Sequence, residues 1–238
     1  MERNTLHPFS LWRFTMAKLE EIRSEIMTLI RQAEGLSTSP YTDALLTSVI
    51  NATFDTLFEY RLWKDHKYTV EDAQLLGVNG LVYDKEATPA LYNLKAIFRE
   101  AKHIKFIFPE NWERALPEIP TSINPNVVTN PGFERYNIGN SLIRILPKQT
   151  VCSLTIVGRY REKTQYVEGD EIPFDKWAMI YSATAKYFTE EAANKDAAQM
   201  YGKLAESRLK TLEASDMADS YSLYGQTIQA TGDWRDAP

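Results

Sequence analysis

Histidine, cysteine and paired carboxylates are the side chains that could carry metal, nucleophilic or acid–base chemistry in this chain. Their placement argues against all three. His7, His66 and His103 are far apart and share no ligand spacing with one another or with Cys152, so no metal site is expected. Cys152 is the 1 cysteine of the chain and cannot form an internal disulfide. It sits in an apolar run, which predicts a buried free thiol rather than a nucleophile. Glu20-Glu21, Asp170-Glu171 and Glu190-Glu191 are the acidic pairs. Each falls on a helix surface or a turn, where carboxylates are ordinarily solvated. The sequence has no Gly-x-Gly-x-x-Gly run, no Walker-type loop and no Gly-x-Ser-x-Gly elbow. The reading is therefore of no catalytic residue, no cofactor site and no metal site.

A local basic bias remains. Arg135, Arg144, Lys148, Arg159, Arg161 and Lys163 crowd one region, opposed by Glu134 and Glu162. Strand alternation would put Arg159, Arg161 and Lys163 on one face. That face reads as solvated, or as one that meets an acidic neighbouring subunit or passing DNA. Tyr160 and Tyr166 are close but do not interleave as a single-strand stacking platform would. The formal net charge of -5 gives no electrostatic reason to expect a general nucleic-acid binder.

The elements that must position these residues follow from periodicity. Hydrophobic residues at 44% and charged ones at 25% are ordinary for a globular protein, and 238 residues can bury a sizeable core. Leu11, Phe14, Leu19, Ile22, Ile26, Leu29 and Ile30 recur at helical spacing and predict a helix over 9–34, stopped by Gly35. A Ser/Thr linker over 36–40 follows. Leu45, Leu46, Val49, Ile50, Phe54, Leu57 and Phe58 predict a second helix over 42–63. Strand signals then take over from residue 68. Asn79-Gly80 reads as a hairpin turn. Tyr92–Phe98 and Ile104–Phe108 read as a strand pair, and Ser141–Leu146 and Val151–Tyr160 as a hairpin across Pro147-Lys148-Gln149. Five prolines between Pro109 and Pro131 predict a long loop, with a short helix near Trp112.

After an acidic turn at Glu168-Gly169-Asp170 comes Ile172-Pro173-Phe174-Asp175-Lys176-Trp177. Asp170 and Glu171 suit the start of a helix, and Pro173 suits its first turn. Trp177, Ile180, Tyr181, Thr184, Ala185 and Phe188 predict a helix over 174–191, with Trp177 on its buried side. Ala197, Met200, Tyr201, Leu204, Leu209 and Leu212 predict another over 194–214, and the two form a helical hairpin. Beyond Ala214 the period fails. Residues 215–238 read as an extended tail with aromatic anchors at Tyr221, Tyr224 and Trp234, the candidate partner-binding residues. No signal peptide or membrane-spanning stretch is expected.

The expected architecture is α+β, with helical elements at both ends, a central antiparallel β region and an extended C-terminal tail. Its divisions are N-terminal helices at 1–67, a β-rich region at 68–167 with the Pro-rich loop at 109–131, a helical hairpin at 168–214 that packs on the N-terminal helices, and a docking tail at 215–238.

A helix from Asp43 that ends at Arg61-Leu62-Trp63, a strand-rich span over 68–160 with a long loop, and the hairpin Phe174–Ala214 follow one another in that order. This order resembles the head-to-tail adaptor (connector) proteins of short-tailed bacteriophages, the tail tubular protein A type. The resemblance covers about residues 42–214. It implies a structural virion protein rather than an enzyme. The implied assembly is a ring of twelve subunits between the portal protein and the tail nozzle protein, lining a channel through which DNA passes without sequence-specific binding. It further implies synthesis in the host cytoplasm and a place at the head–tail junction of the virion. The helix at 9–34 and the length of the Pro-rich loop depart from the family pattern. Rival readings are another neck or tail protein, a stopper or tail terminator, or a nucleic-acid-binding module that uses the Arg/Lys-rich strand.

Overall fold

The computed structural model describes residues 16–35, 41–74, 81–84, 94–110, 113–119, 134–138, 142–146 and 153–223. It divides into two units. One joins Met1–Arg61 to Gln165–Pro238, and the other is the intervening Leu62–Thr164. The class is α+β, with the main helices before and after predominantly antiparallel sheets in chain order.

The helical unit opens with a two-residue strand β1, Ala17–Lys18, and then α1, Leu19–Glu34. The expected start of this helix at residue 9 is corrected. Lys18 is extended, because Ala17 and Lys18 pair with Ile172 and Glu171. The Leu19 N–H donates to the Asp170 carbonyl at 2.9 Å. The Gly169 N–H donates to the Glu20 carboxylate at 3.0 Å. Backbone amides, its own and that of Gly169, hold the Glu20 carboxyl below the usual range. Residues 9–15 lie outside the described residues. Leu19, Ile22, Ile26 and Ile30 are buried, the single stripe that a 3.6-residue period produces. Gly35 ends the helix at φ 65, a left-handed conformation that a side chain would strain. The second helix, α2, spans Asp43–Tyr60. The Thr42 hydroxyl accepts from the Leu45 N–H at 3.3 Å and caps it. It stops short of the expected Trp63 because Arg61 is extended.

In the β unit, a 3-10 turn at Lys64–His66 leads into β2, Lys67–Gln74. Then come β3, Leu81–Asp84, a one-turn helix α3, Leu94–Ile97, and a 3-10 turn at Ala101–His103. The remaining strands are β4, Ile104–Pro109, β5, Glu118–Ile119, β6, Glu134–Ile138, β7, Leu142–Leu146, and β8, Ser153–Arg159. They form two sheets, ordered β2-β8-β4 and β3-β7-β6-β5. One core joins the sheets, with Val82, Tyr83, Ile143 and Ile145 from the second meeting Ile104, Ile107, Leu154 and Ile156 from the first.

Three expectations for this region are corrected. Tyr92–Phe98 is not a strand, since Leu94–Ile97 is helical; the turn brings Leu94 and Phe98 together in the core. The strands either side of Asn79-Gly80 do not pair, because β2 bonds to β8 and β3 to β7. Likewise β7 and β8 belong to different sheets and do not pair as the expected hairpin. The turn residues of both lie outside the described residues, as does Trp112. The expected central β region is antiparallel at every described pairing except one, where β5 runs parallel to β6 with Glu118 opposite Arg135. The strands are also not confined to this region, given β1 and its partner.

That partner is β9, Glu171–Ile172, which returns the chain to the helical unit. It leads to α4, Lys176–Glu190, and α5, Lys195–Leu223. α4 packs against α1, α2 and α5. Asn51, in the middle of α2, holds the segment before β9. Its amide donates to the Tyr166 carbonyl at 3.0 Å and its carbonyl accepts from the Tyr166 N–H at 2.7 Å. Tyr166 also meets Phe54 edge-on, with centroids 4.9 Å apart. The Tyr41 hydroxyl donates to Glu34, and its ring lies edge-on to Tyr187 at 4.8 Å, which fastens the start of α2 to the ends of α1 and α4. Burial raises the hydroxyl pKa of Tyr41.

Candidate assembly surface

Asp175 begins the hairpin. Its Oδ1 accepts from the Ala178 N–H at 2.9 Å and so caps α4. Both carboxylate oxygens also accept from Arg208 on α5, Nε to Oδ1 at 2.9 Å and Nη2 to Oδ2 at 2.7 Å. This is the planar, two-point geometry in which an arginine–carboxylate pair is strongest. Asp170 and Glu171, expected near this helix start, act earlier. Asp170 closes the preceding turn by accepting from the Val167 N–H at 2.9 Å, and Glu171 lies in β9.

α5 is seated by residues four apart, Ala197, Tyr201 and Ala205, all buried. Asn194 caps it through the Ala197 N–H at 3.1 Å. Phe188 stacks on Tyr201, centroids 5.9 Å apart and planes 8° from parallel. Farther along, Glu213 bonds the Tyr60 hydroxyl and raises its pKa, and Asp216 pairs with Arg61 at 3.2 Å. The backbone stays helical to Leu223, past the expected end at Ala214. At 29 residues α5 is about 43 Å long, and α4, at 15 residues, only about 22 Å.

An apolar strip borders the α4–α5 seam. Trp177 is 40% exposed, Met200 49% and Leu204 42%. Trp177 stacks on half-buried Tyr181 at 5.6 Å, with the Lys176 ammonium 5.9 Å from the indole. Tyr181 lies near enough to Tyr201 and Arg208 to influence both electrostatically.

The expected burial of Trp177 is thus corrected. α4 turns Ala178, Met179, Ile180, Ala183, Thr184, Tyr187 and Phe188 inward, and that set leaves Trp177 at the margin. The stripe expected on α5 is likewise rotated. With Ala197, Tyr201 and Ala205 inside, Met200 and Leu204 fall on its edge. The signal for this was available in the smaller residues Ala197 and Ala205, which permit close helix approach.

The other sequence-predicted sites scatter. Tyr221 falls within α5, and Tyr224 and Trp234 lie outside the described residues. The basic strand face is corrected as well. β8 ends at Arg159, which is buried, so alternation does not carry on to Arg161 and Lys163. Lys148 and Cys152 lie outside the described residues. His66 and His103 are buried in the two 3-10 turns, and His7 is outside the described residues. Among the described residues no group of three or more His, Cys, Asp or Glu is placed to hold a metal ion, and no helix is long and apolar enough to cross a membrane. No protein-family model and no curated protein matches the chain.

Proposed function

We propose that this chain is a structural virion protein, the head-to-tail adaptor of a short-tailed bacteriophage. In this reading many copies, twelve by the sequence resemblance, close into a ring between the portal protein and the tail nozzle protein. DNA passes through the ring without sequence-specific contacts. The observation that carries the reading is the element order. A β unit is inserted between two helices and a helical hairpin, and the last helix outruns its partner while presenting exposed apolar side chains beside the seam. A ring repeats one heterologous interface until it closes, and exposed apolar strips of this kind are what such interfaces cover. The net acidic charge also suits a conduit, because a strongly basic lumen would hold DNA by its phosphates.

Light scattering of the purified chain, alone and with a candidate portal protein, tests this. The expected result is a complex of ring stoichiometry with portal, seen as an annulus by electron microscopy. A chain that stays monomeric with every portal protein from the same virus would overturn it.

A further inference from the structure

We propose that one end of the sheet β2-β8-β4, where β2 begins and β8 ends, is a contact surface for the phosphodiester backbone of double-stranded DNA, centred on Tyr68 and Tyr160. This rests on the reading of the chain as a DNA conduit and names the surface that meets the DNA. Three observations carry it. First, the pairing of β2 with β8 builds an aromatic knob that neither segment has alone. Tyr68 lies opposite Gly158. The Tyr160 N–H donates to the His66 carbonyl at 2.8 Å, which extends the pairing one residue past β8. The two rings meet with centroids 5.5 Å apart and planes tilted by 44°, yet Tyr68 is 40% exposed and Tyr160 37%. Second, cations gather at the same end. Lys64 and Asp65 stand in the 3-10 turn before β2, and Lys67 begins that strand opposite Arg159. Arg161, Glu162 and Lys163 follow β8, and Arg99 reaches them, its Nη2 donating to the Glu162 carbonyl at 2.6 Å. Asp65 and Glu162 are thus set against six lysines and arginines. Glu100 and Lys102, beside the start of β4, pair with each other at 3.2 Å and leave that balance unchanged.

Third, the geometry suits a backbone and not bases. Single-strand platforms lay successive bases on separate aromatic faces, whereas these two rings lean on each other. What they offer outward is phenol hydroxyls beside Lys67 and Lys163, both exposed. Hydroxyls and ammonium groups bond phosphate oxygens, and such contacts position a duplex without reading its sequence. Arg159, buried at 8% exposure, adds charge rather than contact. All of these residues lie within the β unit, Leu62–Thr164. The formal charge of -5 on the whole chain keeps the contact weak, so that DNA is guided past and not held.

The test titrates a short fluorescein-labelled DNA duplex of arbitrary sequence with the full-length chain, read by anisotropy over a range of salt concentrations. The parent should bind at low salt and lose affinity steeply as salt rises. Lys67→Gln combined with Lys163→Gln should raise the dissociation constant about fivefold or more and lower the salt slope by about two, one for each lost phosphate contact. Both side chains are exposed, so the unfolding midpoint should hold. Tyr68→Phe combined with Tyr160→Phe keeps the ring contact and removes the hydroxyls. It should weaken binding about threefold and leave the slope unchanged. Binding that neither pair of substitutions alters would put the DNA contact elsewhere and overturn the proposal. A single strand that competes better than duplex, bound at full strength by the phenylalanine variant, would mean stacking on bases and refute the backbone contact. Lost assembly with portal protein in the lysine variant, with DNA binding intact, would assign the cations to a protein partner instead. If the parent binds no DNA at low salt yet assembles with portal protein, the surface is wrong and the ring reading survives. A parent that does neither sinks both.

Discussion

At Asp175 one carboxylate caps α4 and grips a guanidinium on α5. Asp175→Ala removes the cap and the pair together. Because Arg208 is partly exposed and can turn to water, the expected loss is about 1–3 kcal/mol in urea unfolding. Asp175→Asn keeps the cap and should lose less; equal losses would mean that charge, not capping, dominates. Tyr83 offers a second handle. Its buried hydroxyl has no hydrogen-bond partner among the described residues, and burial first, with Glu100 and Asp84 nearby, pushes its pKa up to about 12. An unfolded tyrosine titrates near 10. Above about pH 10 the unfolded chain therefore releases a proton that the folded chain keeps, and stability falls as pH rises toward about 12. Tyr83→Phe should flatten that fall and leave stability at neutral pH unchanged or higher; a steeper alkaline loss in thermal melts would contradict this. Neither residue was legible in the sequence. Asp175 stood beside the acidic pair credited with the helix start, and a mid-helix Asn51 gives no hint that its amide serves Tyr166. Such roles depend on partners distant along the chain.

The elements themselves were read more successfully, because each main helix carries its own period. α1, α2, α4 and α5 all exist close to where the apolar spacing put them. What failed were boundaries and pairings, which tertiary context sets. Lys18 leaves the helix because Glu171 offers a strand partner, and Leu94–Ile97 is helical where a local pattern read as strand. β8 shows why pairings resist local reading: its partners begin at Lys67 and Ile104, not at the preceding strand. Its Gly158 faces the core so closely that a Cβ would lie 2.5 Å from the His103 carbonyl and 2.6 Å from the Phe98 ring. Gly158→Ala must displace backbone, so it should cost about 1–3 kcal/mol, read as a lowered denaturant midpoint; a neutral result would place the strand elsewhere. Trp177→Ala should behave oppositely. With the indole 40% exposed, the expected loss in folding stability is below about 1 kcal/mol, near the range for surface changes, while association between copies weakens. A large loss of stability with intact association would reverse that assignment.

For the whole molecule, the coarse plan of helices, sheets and helices was legible, while the two-sheet layout was not, because the alternation of a strand says which face is buried and not which strand lies beside it. The acidic excess sits in the helical unit, whereas the β unit holds more lysine and arginine than aspartate and glutamate. Removing residues 224–238, with Tyr224 and Trp234, should leave a soluble chain of unchanged helical content by circular dichroism that binds portal protein more weakly. Full-strength binding would strip those aromatics of the partner role expected for them. The insertion of Leu62–Thr164 also governs how the chain is born. Residues as distant as Asn51 and Tyr166, 115 apart in sequence, complete one packing layer, and α1 and α2 find their main apolar cover only in α4. During synthesis, at about 5–20 residues per second, the first two helices must therefore wait on the order of ten seconds with their greasy sides bare. The intervening sheets hold all their own strands and can settle first. The ribosome thus delivers the middle of this protein in finished form before its two ends can meet, and the nascent N-terminal helices are where a chaperone would be needed.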